Sequence, residues 1–154
     1  MRDLYISPII PITLTANNGA LTGLYFGDIL KEDREATEAD SEVLTLCRQE
    51  LDSYFKGKLK KFTVPLNLEG TPFRKKVWEA LLQIPYGETL SYKDISIMVD
   101  NPKAFRAVGG ANHNNPVSII VPCHRVIGSD GSLTGYGGGI ENKKWLLDFE
   151  KKHI

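Results

Sequence analysis

The chain has 154 residues, enough for one large domain or two small ones, and its 42% hydrophobic and 25% charged content is that of an ordinary globular protein. No run of about 18 apolar residues occurs, which excludes a membrane-spanning helix, and Met1-Arg2-Asp3-Leu4 lacks the basic and apolar regions of a signal peptide. Net charge is zero, but residues 1–70 hold 8 Lys/Arg against 11 Asp/Glu while residues 71–125 hold 7 against 4, so an anionic partner would favour the middle segment. A cytoplasmic, reducing setting follows as the default, with Cys47 and Cys123 as free thiols. Two cysteines and three scattered histidines (His113, His124, His153) have no zinc-ligand spacing, so no metal or cofactor is expected.

Residues 1–30 read as β. Ile12 and Leu14 alternate with Thr13 and Thr15, Asn17-Asn18-Gly19 signals a tight turn, and Leu21 to Phe26 returns as a second strand. Leu4 to Ile10 is expected to pair at the edge, where Pro8 and Pro11 are tolerable. The acidic segment 31–40 reads as a surface loop, followed by a helix capped by Asp40 or Ser41 and running to about Phe55. Val43, Leu44, Cys47, Leu51, Tyr54 and Phe55 share one helical face, which makes Cys47 a buried inert thiol. Gly57 ends this helix, Lys56, Lys58, Lys60 and Lys61 make a solvated face at its end, and Phe62 to Leu66 reads as a short strand. A domain boundary is expected at 67–70.

Thr71-Pro72 opens the next helix, with a cap followed by a first-turn proline, and Phe73, Val77, Leu81 and Ile84 form its buried stripe before Pro85-Tyr86-Gly87 stops it. Two short helices follow. Ser91 caps the first, with Asp94 three residues on and Ile95, Met98 and Val99 facing inward. Asp100 and Asn101 turn the chain, and Asn101-Pro102 starts the second. Two short helices so closely joined fit a helix-turn-helix, or any αα-hairpin. The second is nearly bare at Ala104, Ala107, Gly109, Gly110 and Ala111, with Arg106 as its one long cation. Two glycines in a helix interior are each unfavourable by about 0.8–1.0 kcal/mol relative to Ala, so another surface approaches closely there, either a helix or a DNA groove.

Asn115-Pro116 breaks the chain before an apolar run, Val117 to Val121, that leads into Pro122-Cys123-His124-Arg125-Val126. This tetrad sets a candidate nucleophile beside a candidate base and a fixed cation. Cysteine attacks as thiolate, and a histidine that takes its proton, together with positive charge nearby, raises the thiolate fraction. Neighbours in an extended strand point to opposite faces, so His124 reaches Cys123 only if the backbone bends or a water bridges them. The alternative is a small buried apolar Cys. Gly131 and Gly135 to Gly139 make a flexible loop without the Lys-Ser/Thr ending of a phosphate-binding loop. The last helix, Glu141 to about Lys151, is expected to bury Trp145, Leu146 and Phe149, with Glu150 near its end.

These blocks together resemble the O6-alkylguanine-DNA alkyltransferases, the methylated-DNA–protein-cysteine methyltransferases. The likeness covers about residues 71–151 through Ser91-Tyr92, Asn101-Pro102-Lys103-Ala104, Arg106-Ala107-Val108-Gly109-Gly110-Ala111, Asn115-Pro116, Pro122 to Val126, Gly135-Tyr136 and Trp145-Leu146-Leu147; residues 1–70 match only in outline. The resemblance implies an α/β (α+β) chain. Residues 1–68 would form a small domain of a three-stranded antiparallel sheet and one helix, and residues 69–154 a mostly helical, winged-helix-like domain with a helix-turn-helix. It implies a monomer that binds duplex DNA, flips out a guanine alkylated at O6, and moves the alkyl group irreversibly to its own cysteine, with O4-alkylthymine as a second substrate class. Neither a membrane nor an obligate protein partner is implied.

By resemblance Cys123 is the alkyl acceptor, His124 its base through a water, Glu150 the carboxylate that orients His124, and Asn115 the support of the active-site turn. Tyr92 would contact the flipped base, Arg106 would fill the gap left in the stack, and Tyr136 would wall the pocket. Ala107, Gly109 and Gly110 would lie in the minor groove, and Arg125 is grouped with the residues that bind substrate or DNA. Gly137 stands where relatives often carry Ala or Ser, so a wider pocket mouth that admits alkyl groups larger than methyl is expected. The rivals are a Cys-His hydrolase, a non-catalytic binder of alkylated DNA, and a plain winged-helix DNA-binding domain.

Overall fold

The computed structural model describes residues 1–29, 37–133 and 136–154, in two compact units, Met1–Leu68 and Glu69–Ile154. Most of the expected loop at 31–40, and Gly135 of the later glycine-rich segment, lie outside the described residues. No helix among the described residues is long and apolar enough to cross a membrane.

The first unit is an antiparallel sheet in the order β1 (Arg2–Ile6), β2 (Pro11–Asn17), β3 (Ala20–Phe26), packed against α1 (Glu38–Phe55). Asn18 and Gly19 both take positive φ, 52° and 75°, as a tight hairpin turn needs. Thr13 can sit buried in the central strand because its hydroxyl is satisfied twice: it donates to the Gly27 carbonyl at 2.7 Å and accepts from the Ile29 N–H at 2.9 Å. The edge strand ends four residues before the expected Ile10. The Ser7 hydroxyl accepts from the N–H groups of Ile9 and Ile10 and turns the chain there.

Two further boundaries move for local hydrogen-bonding reasons. The cap of α1 is Thr37, not Asp40 or Ser41: its hydroxyl accepts the Asp40 N–H while the Asp40 carboxylate accepts the Thr37 N–H, a reciprocal capping box. The strand expected at Phe62 to Leu66 shrinks to a single parallel bridge between Leu66 and Leu21. The buried Glu50 carboxylate accepts the N–H groups of Thr63 and Val64, which removes them from any ladder.

The second unit holds α2 (Pro72–Leu81), α3 (Tyr92–Met98), α4 (Phe105–His113) and α5 (Ile140–Lys152), with a two-residue parallel pairing of β4 (Leu90–Ser91) and β5 (Val126–Ile127). Thr71 and Ser91 cap α2 and α3 as their sequences require. In α2 the buried face includes Trp78, whose indole N–H donates to the Ala111 carbonyl of α4 at 2.9 Å; Phe73 is only half-buried. In α3 Met98 points outward, and Ser96 takes an inward place because its hydroxyl donates to the Lys93 carbonyl. The second helix of the pair starts at Phe105 rather than Pro102. Residues 102 and 103 form a turn closed by the Ala104 N–H on the Asn101 carbonyl. The sheet followed by helices is the fold class expected from the sequence.

Candidate active site

The apolar run before Cys123 is not a strand. Val117 to Val121 fold into tight turns, and Ile119 takes φ 71°, a left-handed conformation unusual for a β-branched residue. Such a residue stores about 1–3 kcal/mol and persists only where its surroundings over-determine it. Asn115 supplies that constraint: its side-chain N–H donates to the Val121 carbonyl at 2.8 Å and its carbonyl oxygen accepts the Val117 N–H at 3.0 Å. The chain then makes one turn of 3-10 helix, Cys123–Arg125. With three residues per turn, successive side chains lie about 120° apart rather than on opposite faces. The geometric objection to a Cys123–His124 partnership therefore disappears. The pairing of β4 with β5 ties this turn to the start of α3, and so to Tyr92.

His124, Arg125 and Glu150 form one buried cluster. Glu150 accepts from His124 Nε2 at 2.7 Å, from Arg125 Nε at 2.8 Å and from Arg125 Nη2 at 3.1 Å. Burial alone would raise its carboxyl, but His124 and the permanently charged Arg125 hold it well below the usual carboxylate range. An ionised carboxylate only accepts, so the proton in the 2.7 Å bond sits on His124 Nε2. Burial pushes the imidazole down from its ordinary 6.5 despite Glu150, which keeps the ring neutral at pH 7. A neutral ring protonated at Nε2 leaves Nδ1 as a lone-pair acceptor. Nδ1 is buried and has no hydrogen-bond partner among the described residues.

Cys123 is buried, and its burial raises the thiol above its ordinary value. Opposing this are the polar side chains of Asn115, Ser118 and Tyr136 close to the sulfur, and the charge of Lys143. The resting group is a thiol. It needs a base to take its proton, and a cation lies ready for the thiolate.

That cation is Lys143, which sequence reasoning missed. It is 0% exposed, donates to the Val126 carbonyl, and stands 5.8 Å from the ring centroids of both Tyr92 and Tyr136. Burial lowers its pKa to about 8, although Cys123 opposes the shift. Lys143, Leu146 and Glu150 stand at i, i+3 and i+7 on α5, so the helical period alone places them on one face. Trp145 and Phe149, expected there, are half-buried and stack on each other at 5.0 Å. Ser118 was also missed, and nothing in the sequence marks it. So was Asn112, whose amide donates to the Cys123 carbonyl at 3.3 Å.

Arg125 requires a correction. Expected to bind substrate or DNA, it is buried, with Nε and Nη2 on Glu150, Nη1 on the Ile84 carbonyl at 2.8 Å and its guanidinium over the Tyr86 ring. Its donors are taken up by Glu150 and the Ile84 carbonyl, so it holds the carboxylate in place. Gly137 requires another. A Cβ there would lie 2.6 Å from the His113 carbonyl oxygen, so the glycine permits close approach of α4's last turn and does not widen a mouth. On α4, by contrast, Arg106, Ala107 and Gly110 are exposed and Gly109 is half-buried, and a Cβ at Gly109 or Gly110 would meet nothing within 4 Å. Among the described residues, no other helix presses on those glycines.

Residues 72–152 match the family described as 6-O-methylguanine DNA methyltransferase, DNA binding domain, and residues 1–68 match 6-O-methylguanine DNA methyltransferase, ribonuclease-like domain. The chain is similar to the methylated-DNA–protein-cysteine methyltransferase of Methanosarcina barkeri, 46% identical over 157 residues that cover 99% of this chain and 98% of the relative. The protein of that name from Mycobacterium tuberculosis is 49% identical over 146 residues, covering 94% and 88%. Among solved structures, Mycobacterium tuberculosis OGT in complex with DNA has a TM-score of 0.87 at 45% identity, covering 98% of this chain and 92% of that one.

Proposed function

Because the chain belongs to the 6-O-methylguanine DNA methyltransferase family, we propose that it repairs DNA by moving an alkyl group from O6 of guanine in a duplex to its own Cys123. The unit from residue 69 to 154 carries both DNA binding and chemistry, and the protein acts as a cytoplasmic monomer without a cofactor.

The chemistry is an in-line displacement at the alkyl carbon. Cys123 Sγ forms the new S–C bond as the C–O6 bond breaks, and the bonding pair leaves on the guanine. The thiol proton passes to His124 Nδ1 through one bridging water, and the same proton equivalent is returned to the departing guanine, so the step ends with a neutral guanine and a neutral imidazole. Glu150 and Arg125 do not touch the substrate. They hold the imidazole in the tautomer that accepts at Nδ1. Lys143 stabilises the thiolate as it forms, and with Tyr92 and Tyr136 it borders the place of the flipped base. The product thioether has no leaving group that water can displace, so each chain acts once. Arg106 fills the stack that the flipped base vacates, and the bare surface of α4 at Ala107, Gly109 and Gly110 allows the helix to enter the minor groove.

The observation that carries this reading is the buried His124: its Nε2 is held by an ionised carboxylate and its Nδ1 has no hydrogen-bond partner among the described residues, one residue from a buried thiol. The test is intact mass after incubation with a duplex containing O6-methylguanine. A single methyl on Cys123, absent in Cys123→Ala, is expected. Repeated turnover would instead indicate a hydrolase, and binding without transfer a lesion-binding protein.

A further inference from the structure

The first residue of α4 is an aromatic side chain that the fold leaves in solvent. Phe105 is 52% exposed and, among the described residues, has no ring contact. It stands one residue before Arg106. By the helical period Phe105 shares a face with Gly109, and Arg106 shares one with Gly110. Among the described residues, a Cβ added at either glycine would meet nothing within 4 Å. The helix thus presents a bare strip headed by two long side chains, one apolar and one cationic.

The occupant of this face is marked by charge. From residue 101 to residue 122 the chain carries Lys103 and Arg106 and no carboxylate. A second copy of this protein would bring its own backbone and mixed charge to that strip, whereas a polyphosphate backbone matches it. Proteins that enter the minor groove commonly insert apolar wedges between base steps beside their cationic contacts.

We infer that Phe105 is a second wedge in the duplex: it enters the minor groove beside Arg106 and unstacks the base step adjoining the flipped nucleotide. Arg106 then replaces the lost base, while Phe105 holds the neighbouring step open and lowers the free energy of extrusion. This rests on the reading of the chain as a duplex-repair protein. It adds a residue that acts on DNA shape and not on the alkyl group.

The experiment compares single-turnover alkyl transfer by the wild type, Phe105→Ala and Phe105→Leu. Substrates are an O6-methylguanine duplex and free O6-methylguanine base, and the duplex also carries 2-aminopurine beside the lesion. Phe105→Ala is expected to be about tenfold slower on the duplex and as fast as wild type on the free base, with a smaller rise in 2-aminopurine emission. Phe105→Leu, which keeps an apolar wedge, should recover most of both duplex signals. Equal rates on the duplex would overturn the inference. So would equal slowing on both substrates, which would place Phe105 in the pocket's support. A DNA-free dimer that Phe105→Ala dissolves would assign the face to a second copy. Failure of the wild type to methylate Cys123 would refute the alkyltransferase reading itself, an outcome distinct from all of these.

Discussion

Lys143 donates its ammonium proton to the carbonyl oxygen of Val126, three residues beyond Cys123, and so stands buried beside a buried thiol. Burying a lysine in such a place is unfavourable, and its lowered pKa of about 8 records that. Its charge becomes useful when Cys123 loses its proton. Lys143→Met is therefore expected to slow methyl transfer at pH 7 by about tenfold or more, the equivalent of at least one pKa unit on the thiol. The gap between variant and wild type should narrow above pH 8, where the wild-type ammonium discharges. Single-turnover rates between pH 6.5 and 9.5 measure this; a gap constant across that range would remove Lys143 from the charge balance of the thiol.

His124 is expected to keep its base form below the pH at which an ordinary imidazole protonates. Burial lowers its pKa, so the transfer rate with free O6-methylguanine base should remain level as pH falls through 6.5 and decline only further down. Using the free base removes any pH dependence of DNA binding. A rate that halves at 6.5 would show that the ring is not held neutral.

Stability should follow pH with the same sign. His124 and Glu150 both have folded pKa values below their ordinary ones, so over the relevant range the unfolded chain binds more protons. The contribution of His124 is present above 6.5 and lost as pH falls below it, and that of Glu150 is present above 4.5 and lost as pH falls below that. Urea midpoints should therefore stay level from pH 8 down to about 6.5 and fall from there towards pH 4. In Glu150→Gln, Arg125 is left buried without its partner, which is destabilising by about 3–5 kcal/mol. That variant's transfer rate should drop at least a hundredfold, the range for a lost base function.

Gly137→Ala tests the close approach to His113. A methyl 2.6 Å from a backbone carbonyl oxygen forces a shift of backbone, not of a flexible side chain. A loss of about 1–3 kcal/mol is expected from such overpacking. Denaturation of the variant measures it, and an unchanged midpoint would show that the 136–139 segment yields freely.

Arg106→Ala should separate flipping from chemistry. Its rate on the duplex is expected to fall at least tenfold while its rate on the free base stays at the wild-type level. Equal losses on both would assign Arg106 to the pocket.

The sequence made some elements plain and hid others for physical reasons. Caps such as Thr71 and Ser91 are local, so their helices begin where the residues say. The cap of α1 depended on which of several polar residues could bond reciprocally, and Thr37 with Asp40 prevailed over Asp40 alone. Pro102 suggested a helix start three residues early, because a proline that suits a first turn also suits the bend before it. Cys123, His124 and Glu150 were legible through resemblance. Lys143 was masked by the charged run Glu141-Asn142-Lys143-Lys144, in which composition reads as solvated surface although the period points inward. Arg125 was grouped with the residues that bind substrate or DNA, whereas the 3-10 turn directs it onto both oxygens of Glu150.

Lys143 and Glu150 ride on the same helix, seven residues or about 10.5 Å apart along α5. One addresses the sulfur and the other the imidazole, so the acidity of the nucleophile and the basicity of its partner are set by a single rigid rod. Any disturbance that slides or tilts that rod detunes both at once, while the bare strip of Ala107, Gly109 and Gly110 is carried by a different helix, α4. Recognition and reactivity therefore have separate mechanical supports, and a loosened C-terminal helix would yield a molecule that still grips a lesion but has lost the power to remove it.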